Sequence, residues 1–396
     1  MIQKIKSSYE HTIYASYLGY ITQAIVNNFA PLLFLTFAST YGLSLAQITL
    51  ITTINFMTQL LVDLICAKVI DRVGYRRAVV FAHITSALGI IGLSVFPALL
   101  GNAYAGLIAA AVLYAIGGGI IEVLISPIVE ACPTKKKEAA MSLLHSFYCW
   151  GHVGVVLIAT VFFAVFGIEN WGILAWILAV VPLFNVVYFL LVPIFPIVDE
   201  HHKLSFGTLL KQKAFWILIV MMICAGASEQ AMSQWASAFA ESGLRVSKTV
   251  GDLLGPCAFA VFMGLARAYY GKNSEKIPLK KMMMGSALAC IVCYLVAVFS
   301  GNPIFGLLGC ACCGFTVGIF WPGTFSIAAI KLPGGGTAMY ALMALAGDLG
   351  CSSGPTVVGM VADAMGGDLK KGILAAIVFP IVMVISLCFV KDNKNA

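Results

Sequence analysis

Charged side chains are scarce in this sequence. Only 10% of its 396 residues are Asp, Glu, Lys or Arg, whereas about 25% is usual for a soluble domain. This scarcity excludes an ordinary water-soluble protein, whose surface needs such charges. Long polar stretches are also lacking, so no loop is large enough to form a separate domain.

The patterns that enzymes and metal proteins need are lacking as well. No Cys-x-x-Cys pair lies in a loop, and the sequence has no metal-ligand cluster, no phosphate-binding loop and no nucleophile near a base. Most of the twelve cysteines lie inside apolar segments, where packing is their expected role. We therefore expect no enzyme, no cofactor and no metal site.

Apolar residues dominate instead, at 61% of the chain. A membrane-spanning helix needs about 20 mainly apolar residues, and the sequence predicts twelve such spans. Their approximate bounds are 13–38, 46–68, 78–99, 104–128, 140–165, 170–194, 214–240, 249–268, 282–300, 303–330, 337–363 and 371–390. The first segment lacks a small-residue cleavage site, so we interpret it as a retained helix and not as a signal peptide.

Basic residues indicate how the spans are oriented. With a cytoplasmic N-terminus, 20 of the 24 Lys and Arg residues fall on the cytoplasmic side, leaving Arg245, Lys248, Lys370 and Lys371 outside. This asymmetry predicts that both termini are cytoplasmic, and it accounts for the net charge of +7 without a nucleic acid partner. The short tails and loops favour a multi-pass protein of a bacterial inner (plasma) membrane, with the lipid bilayer as its surroundings.

A charged connection divides the predicted spans into two groups of six. We predict an N-terminal six-helix half at 1–194, a cytoplasmic linker at 195–213 and a C-terminal six-helix half at 214–396. Transporters are commonly built from such repeats, with substrate and coupling ions held near the midplane where the repeats meet. The fold class is therefore an all-α membrane protein with two pseudo-symmetric halves, expected to work as a monomer.

The turn between spans two and three carries the sequence AKVIDRVGYRR, Ala67 to Arg77. It resembles the signature GxxxDRxGRR of the major facilitator superfamily, with Ala67 in place of the first glycine and Tyr75 in place of a basic residue. A reduced counterpart, with Gly264, Arg267 and Gly271, follows span eight. We predict a cytoplasmic gate whose members are Asp63, Asp71, Arg72, Gly74, Arg76, Arg77 and Glu130. An ordinary positively charged loop is the alternative.

Acidic residues inside spans are the strongest functional signal, because burying an ionisable group in a membrane is costly. Four qualify: Asp63, Glu122, Glu229 and Asp348. For Asp63 we favour a structural role near the gate. Asp348 is either a cation ligand or a paired charge. We expect Glu122 to exchange a proton because burial disfavours its charged form; a permanent bond to a neighbouring helix is the alternative. Asp252 and Glu130 lie near helix ends, within reach of water or a helix dipole, and favour structural roles.

Polar and aromatic side chains inside several spans are candidate solute contacts. Amides both donate and accept hydrogen bonds, which suits a hydroxyl-rich solute, although bonds between helices are the alternative. In span two, Thr52, Asn55, Gln59 and Asp63 follow each other at steps of three or four, on one helical stripe. The complete set of predicted binding or coupling residues is Glu122, His145, Tyr148, Gln23, Asn27, Asn28, Asn55, Glu229, Gln230, Gln234, Trp235, Trp321 and Asp348.

Two segments narrow the resemblance. GGGIIEVLISP in span four and LLHSFYCWG in span five look like the fucose-permease-type branch of sugar and proton symporters. In that branch the span-four glutamate binds protons and substrate, which Glu122 would match. A glutamine and an asparagine of the branch fall on His145 and Tyr148 here. The span-one acid of that branch, which has a role in proton coupling there, falls on or near Asn28 here. At this position the sequence departs from the branch.

These observations predict a secondary active transporter that moves a small polar solute by alternating access. The resemblance implies a sugar carried in symport with protons, with sodium as the alternative coupling ion. Proton-coupled export of drugs or metabolites is a second hypothesis, weakened because GHVGVV in span five lacks the proline of exporters. A sensor or lipid-handling protein on the same fold is a third, from a different functional class.

Overall fold

The computed structural model describes residues 2–134, 137–195, 206–273, 278–332 and 336–390, and these residues are helical without any strand. The chain divides into two compact units, Met1–Asp199 and Glu200–Ala396. The first unit, here the N-terminal half, contains helices α1 (Ile2–Ser7), α2 (Tyr9–Asn28), α3 (Phe34–Tyr41), α4 (Leu45–Val73), α5 (Tyr75–Leu99), α6 (Ala103–Glu130), α7 (Lys137–Phe166) and α8 (Trp171–Leu191).

The second unit, here the C-terminal half, is also built from helices. They are α9 (Phe206–Leu210), α10 (Lys213–Ala238), α11 (Lys248–Asp252), α12 (Ala258–Asn273), α13 (Leu279–Phe299), α14 (Pro303–Val317), α15 (Phe320–Lys331), α16 (Gly336–Ala364), α17 (Leu369–Ala375) and α18 (Val378–Phe389). Most of the predicted linker, residues 196–205, lies outside the described residues.

Most predicted spans correspond to long helices. Within the described ranges, eleven helical stretches are long and apolar enough to cross a membrane, and the remaining predicted span, 337–363, lies within α16. The predicted all-helical membrane architecture is therefore confirmed. The cytoplasmic placement of both termini stays a prediction.

Several spans are interrupted where the backbone hydrogen-bond pattern changes. The first span passes from α2 through a 3₁₀ turn, Ala30–Leu33, into α3, and this turn contains Pro31. Two π-helical segments, Phe239–Gly243 and Leu253–Cys257, follow α10 and α11. Proline has no amide hydrogen for the helical ladder, which explains the change at Pro31 and at Pro256 in the second π segment.

Helix α6 lies at the centre of the N-terminal half. Its Ile121, Leu124, Ile125 and Ile128 are completely buried and belong to a cluster with residues of α2, α5, α7 and α8. In the C-terminal half, α10 is buried on all sides from Cys224 to Ala238. Each half therefore packs around a helix whose polar residues must find partners inside the protein.

The outward surface is apolar. Large side chains such as Val165, Trp176, Phe184 and Phe299 are more than half exposed. In water this would be a large exposed apolar patch, whereas lipid tails solvate it at no cost. The distribution agrees with helices that contact lipid on one side and protein on the other.

Candidate functional site

A chain of hydrogen-bonded amides joins α2 to α4. Gln59 Nε2 donates to Asn27 Oδ1 and to Asn55 Oδ1, both at 2.9 Å, and Asn55 Nδ2 donates to Asn27 Oδ1 at 3.2 Å. All three side chains are buried. The stripe on α4 predicts that Asn55 and Gln59 share a face. In the structure Gln59 is the central residue of the amide chain, because it bonds to both Asn27 and Asn55.

The amide chain ends at Glu122 on α6. Gln23 Nε2 donates to Gln59 Oε1 at 2.8 Å and to Glu122 Oε2 at 3.0 Å. Glu122 is half-buried. We call Gln23, Asn27, Asn55, Gln59 and Glu122 together the amide–carboxyl cluster; it brings side chains from three helices to one carboxyl group.

Glycines of α6 allow this contact. A Cβ atom at Gly118 would lie 2.9 Å from Gln23 Oε1, and one at Gly119 would lie 3.1 Å from the Gln59 Cα. Larger residues would therefore push α6 away from the amides. Gln23 Oε1 itself accepts no hydrogen bond from the described residues, so one buried acceptor of the cluster is unused.

Aromatic residues of α2 and α7 lie beside Ser126 of α6. The Tyr20 hydroxyl is 3.1 Å from Ser126 Oγ, and the Tyr20 ring meets His145 edge to face at 5.3 Å between centroids. His145 is exposed, whereas Cys149 and His152 further along α7 are buried, and Tyr148 is half-buried.

Two other buried amides serve local packing. Asn28 Nδ2 donates to the carbonyl of Ala24 in its own helix, at 2.9 Å. Asn185 Nδ2 lies 2.8 Å from His83 Nε2 and donates to the Ala15 carbonyl at 3.0 Å. His83 and Asn185 join α5, α8 and α2, and no spacing pattern in the sequence links them.

The C-terminal half carries its polar residues along α10. Gln234 Nε2 donates to Gln230 Oε1 at 3.1 Å, and Gln230 Nε2 donates to Glu229 Oε1 at 3.4 Å. All three are buried, as is Ser233. These three predicted residues of α10 therefore form a continuous chain that also ends at a carboxyl group.

A cation accompanies this second carboxyl group. Arg267 Nη2 of α12 lies 4.0 Å from Glu229 Oε2. The Glu229 side chain is 7% exposed and that of Arg267 is 26% exposed, so water screens the pair only partly. The sequence marks Arg267 as a remnant of the gate signature, and nothing in its spacing pairs it with α10.

The two predicted tryptophan contacts lie in different surroundings. Trp235 is completely buried, and its indole nitrogen donates to the Pro355 carbonyl at 3.0 Å. Trp321 is half-buried and packs directly on α16, because a Cβ atom at Gly347 would lie 2.3 Å from its ring. Asp348, which follows Gly347 on α16, is buried.

The structure describes the side chains of most, but not all, residues of the predicted gate. Gly74 ends α4 at a φ of 88°, a conformation that glycine adopts without strain. Arg76 Nη1 donates to the Phe189 and Leu190 carbonyls at 2.6 and 3.2 Å, which satisfies open carbonyl groups at the end of α8. Arg72 and Arg77 are exposed and Asp63 is half-buried. The side chains of Asp71 and Glu130 lie outside the described residues.

An ion cluster that sequence analysis did not predict joins α10 to α11. Lys248 Nζ lies 3.2 Å from Glu241 Oε1 and 3.1 Å from Asp252 Oδ2, and Ser237 Oγ donates to Asp252 Oδ1. The sequence favours a structural role for Asp252, near a helix end within reach of water or a helix dipole; in the structure its side chain is completely buried and lies beside Lys248. The i, i+4 spacing of Lys248 and Asp252 was the available signal.

Comparisons with known proteins agree on the fold. The chain matches the model of the Major Facilitator Superfamily over residues 16–355, and no curated protein sequence matches it significantly. It is similar to a solved variant of the nucleoside transporter NupG, at 13% identity and a TM-score of 0.78, over 96% of this chain and 100% of that one.

Two further solved structures are similar over nearly the whole chain. A bacterial homologue of the human lysosomal transporter Spinster, inward-facing and occupied, has 16% identity and a TM-score of 0.78, over 97% of each chain. A variant of the E. coli fucose:proton symporter FucP has 16% identity and a TM-score of 0.63, over 97% of this chain and 99% of that one. Identities this low establish a shared fold and leave the solute open.

Proposed function

Because this chain belongs to the Major Facilitator Superfamily, we propose that it is a proton-coupled secondary active transporter that takes up a sugar or a similar small polar solute by alternating access. The observation that carries the proposal is the bond from Gln23 to Glu122 at the end of the amide–carboxyl cluster.

An amide donor suits a carboxyl group that changes its protonation state. Gln23 Nε2 can donate to a charged carboxylate and equally to the carbonyl oxygen of a protonated carboxyl group. Glu122 therefore keeps this contact in both states. Because Glu122 is half-buried, its charged form is less favourable than in water, while part of its side chain stays accessible.

Solute recognition in this proposal uses the same cluster. Sugar hydroxyl groups donate and accept hydrogen bonds, as the amides of Gln23, Asn27 and Asn55 do. The unused Gln23 Oε1 is an acceptor for such a group. Tyr20 and His145 add an aromatic edge nearby. Within the C-terminal half, Gln230, Gln234 and Trp321 are proposed solute contacts.

The FucP likeness agrees with this substrate class, since that protein is a fucose:proton symporter by its name. NupG, by contrast, is a nucleoside transporter by its name. The test must therefore compare both solute classes.

Uptake into proteoliposomes tests the proposal. The purified protein is reconstituted, and labelled hexoses, pentoses and nucleosides are offered with and without an inward proton gradient. We expect gradient-dependent accumulation of at least one sugar. Accumulation driven by sodium alone, or of nucleosides alone, would contradict the proton or the sugar assignment respectively.

A further inference from the structure

A polar cavity lies at one end of the C-terminal half. It has a volume of about 390 Å³, near the lower end of the 300–1,000 Å³ typical of small-molecule sites. The turns that follow α10, α13 and α16 form its walls. Lining residues used below are Ser242, Arg245, Ser300, Gly367, Asp368 and Lys370.

Most hydrogen-bonding groups around this cavity are already in use. Ser242 Oγ donates to the Ala238 carbonyl at 2.8 Å, and Ser300 Oγ donates to the Asn302 carbonyl at 2.6 Å. Asp368 Oδ1 accepts the backbone N–H groups of Lys370 and Lys371, at 3.0 and 3.4 Å. The hydroxyl and carboxylate groups of the wall are therefore committed to the protein.

Two of the four basic residues at this end are also committed. Lys248 lies between Glu241 and Asp252, and Lys371 Nζ lies 3.7 Å from Asp368 Oδ2. The carboxylates that could neutralise the cavity are thereby shared with other lysines. Arg245 and Lys370, which line the cavity, form no ion pair with any carboxylate of the described residues.

The backbone of Arg245 supports a specific role. It has a φ of 56°, a left-handed conformation that is unfavourable for a non-glycine residue. Glycine would remove this cost, as Gly366 and Gly367 do at φ of 72° and 87° in the turn on the other side of the cavity. The guanidinium group is the feature that glycine cannot replace.

The N-terminal half offers a contrast at its equivalent turns. The connections 42–44, 100–102 and 167–170 contain no Lys or Arg, and their one charged residue is Glu169. Of these two sets of turns, Lys and Arg therefore occur only in those of the C-terminal half.

We propose that this cavity is an anion site, in which Arg245 and Lys370 bind the phosphate or carboxylate group of a small solute or of a lipid headgroup. Arginine binds two oxygens of such a group through its planar fork, and lysine adds a point charge. The site goes beyond the transport function proposed above and does not depend on it.

Phosphate binding tests the proposal on the full-length protein in a neutral detergent. Thermal unfolding is followed while sodium phosphate replaces sodium chloride at constant ionic strength. We expect saturable stabilisation of the parent, and an apparent Kd that is about tenfold higher or more in Arg245→Gln/Lys370→Gln. The control Lys280→Gln/Lys281→Gln removes the same charge at the start of α13, at the opposite end of the half, and should bind as the parent does.

A lipid arm separates the two sources of the anion. The protein is extracted from nanodiscs of phosphatidylcholine, with or without phosphatidylglycerol, and its retained lipids are counted by native mass spectrometry. Retention of phosphatidylglycerol by the parent but not by the double variant assigns the site to a headgroup; phosphate binding without such retention assigns it to a free solute.

A single substitution covers the case in which the double variant does not fold. Lys370→Gln keeps the bond from the backbone of residue 370 to Asp368 and should still weaken phosphate binding. Equal responses of parent and cavity variants to both phosphate and phosphatidylglycerol would overturn the proposal. So would an equal loss of binding in the Lys280→Gln/Lys281→Gln control.

Discussion

The two halves of this transporter each end a chain of buried amides at a carboxyl group, but they surround that group differently. In the N-terminal half Glu122 accepts from the neutral Gln23 amide, whereas in the C-terminal half Glu229 lies beside the Arg267 cation. An amide bonds to either protonation state, but a cation stabilises only the charged carboxylate. This difference is the basis on which we propose Glu122, and not Glu229, as the group that carries the coupled proton.

The largest expected effect comes from Glu122→Gln. Glutamine keeps an oxygen for Gln23 but cannot release a proton, so gradient-driven accumulation should disappear while solute exchange across the membrane continues. For one proton per solute, one pH unit supports up to about tenfold accumulation, and the variant should lose all of it. Uptake and exchange in proteoliposomes measure both quantities.

Glu169→Gln is the matched control, since Glu169 is an exposed acid of the same half outside the cluster. It should accumulate solute as the parent does. If Glu122→Gln accumulates solute equally well, the contrast between the two carboxyl groups fails as an account of coupling.

The second prediction concerns charge balance in the C-terminal half. Glu229→Gln leaves Arg267 without this carboxylate, and Arg267→Gln leaves the buried Glu229 without its cation. Because the pair is 4.0 Å apart and Arg267 is 26% exposed, we expect each single change to destabilise the protein by about 1–3 kcal/mol. Thermal unfolding in detergent measures the loss.

The double variant Glu229→Gln/Arg267→Gln removes both charges and should recover most of that stability. Proton-driven accumulation should also persist in the double variant. Additive losses in the double variant would show that the two residues do not act as a pair.

A smaller effect is expected from Gln59→Met. Methionine has a similar length but removes the acceptor for Gln23 and the donor to Asn27 and Asn55. We expect the solute concentration for half-maximal uptake to rise about tenfold, or 1.4 kcal/mol, with accumulation still dependent on the proton gradient.

Asn185→Leu is the control for this prediction. It removes a buried amide of the same half that bonds to His83 and to the Ala15 carbonyl, so it should lower stability without changing the half-maximal concentration. If both variants change only stability, the amide chain is structural and the solute contacts lie elsewhere.

The sequence predicts the fold well because each span is an apolar segment of sufficient length. Length and composition predict the eleven spans found in the described residues and the helix α16 at the remaining one, with boundaries that differ by a few residues. Changes within spans are harder to place: Pro31 and Pro256 signal an irregular backbone, but the choice of a 3₁₀ turn or a π segment depends on packing.

The site was predicted less completely, since contacts between helices depend on how they pack. The stripe that contains Asn55 and Gln59 follows from helical periodicity, yet the link from Gln23 to Glu122 required α2, α4 and α6 to be placed together. The pairings of Arg267 with Glu229 and of Lys248 with Glu241 likewise depend on how helices and segments pack together. Trp235, a predicted solute contact, donates to the Pro355 carbonyl, a contact that no pattern in the sequence indicates.

Direct measurement of proton movement tests the central claim, that Glu122 carries the coupled proton. Solute is added outside proteoliposomes at equal internal and external pH, and the pH of the weakly buffered medium is recorded. The account predicts that the medium becomes more alkaline with the parent, as protons enter with solute, and that its pH stays constant with Glu122→Gln while labelled solute still exchanges. Equal alkalinisation by parent and variant would contradict it.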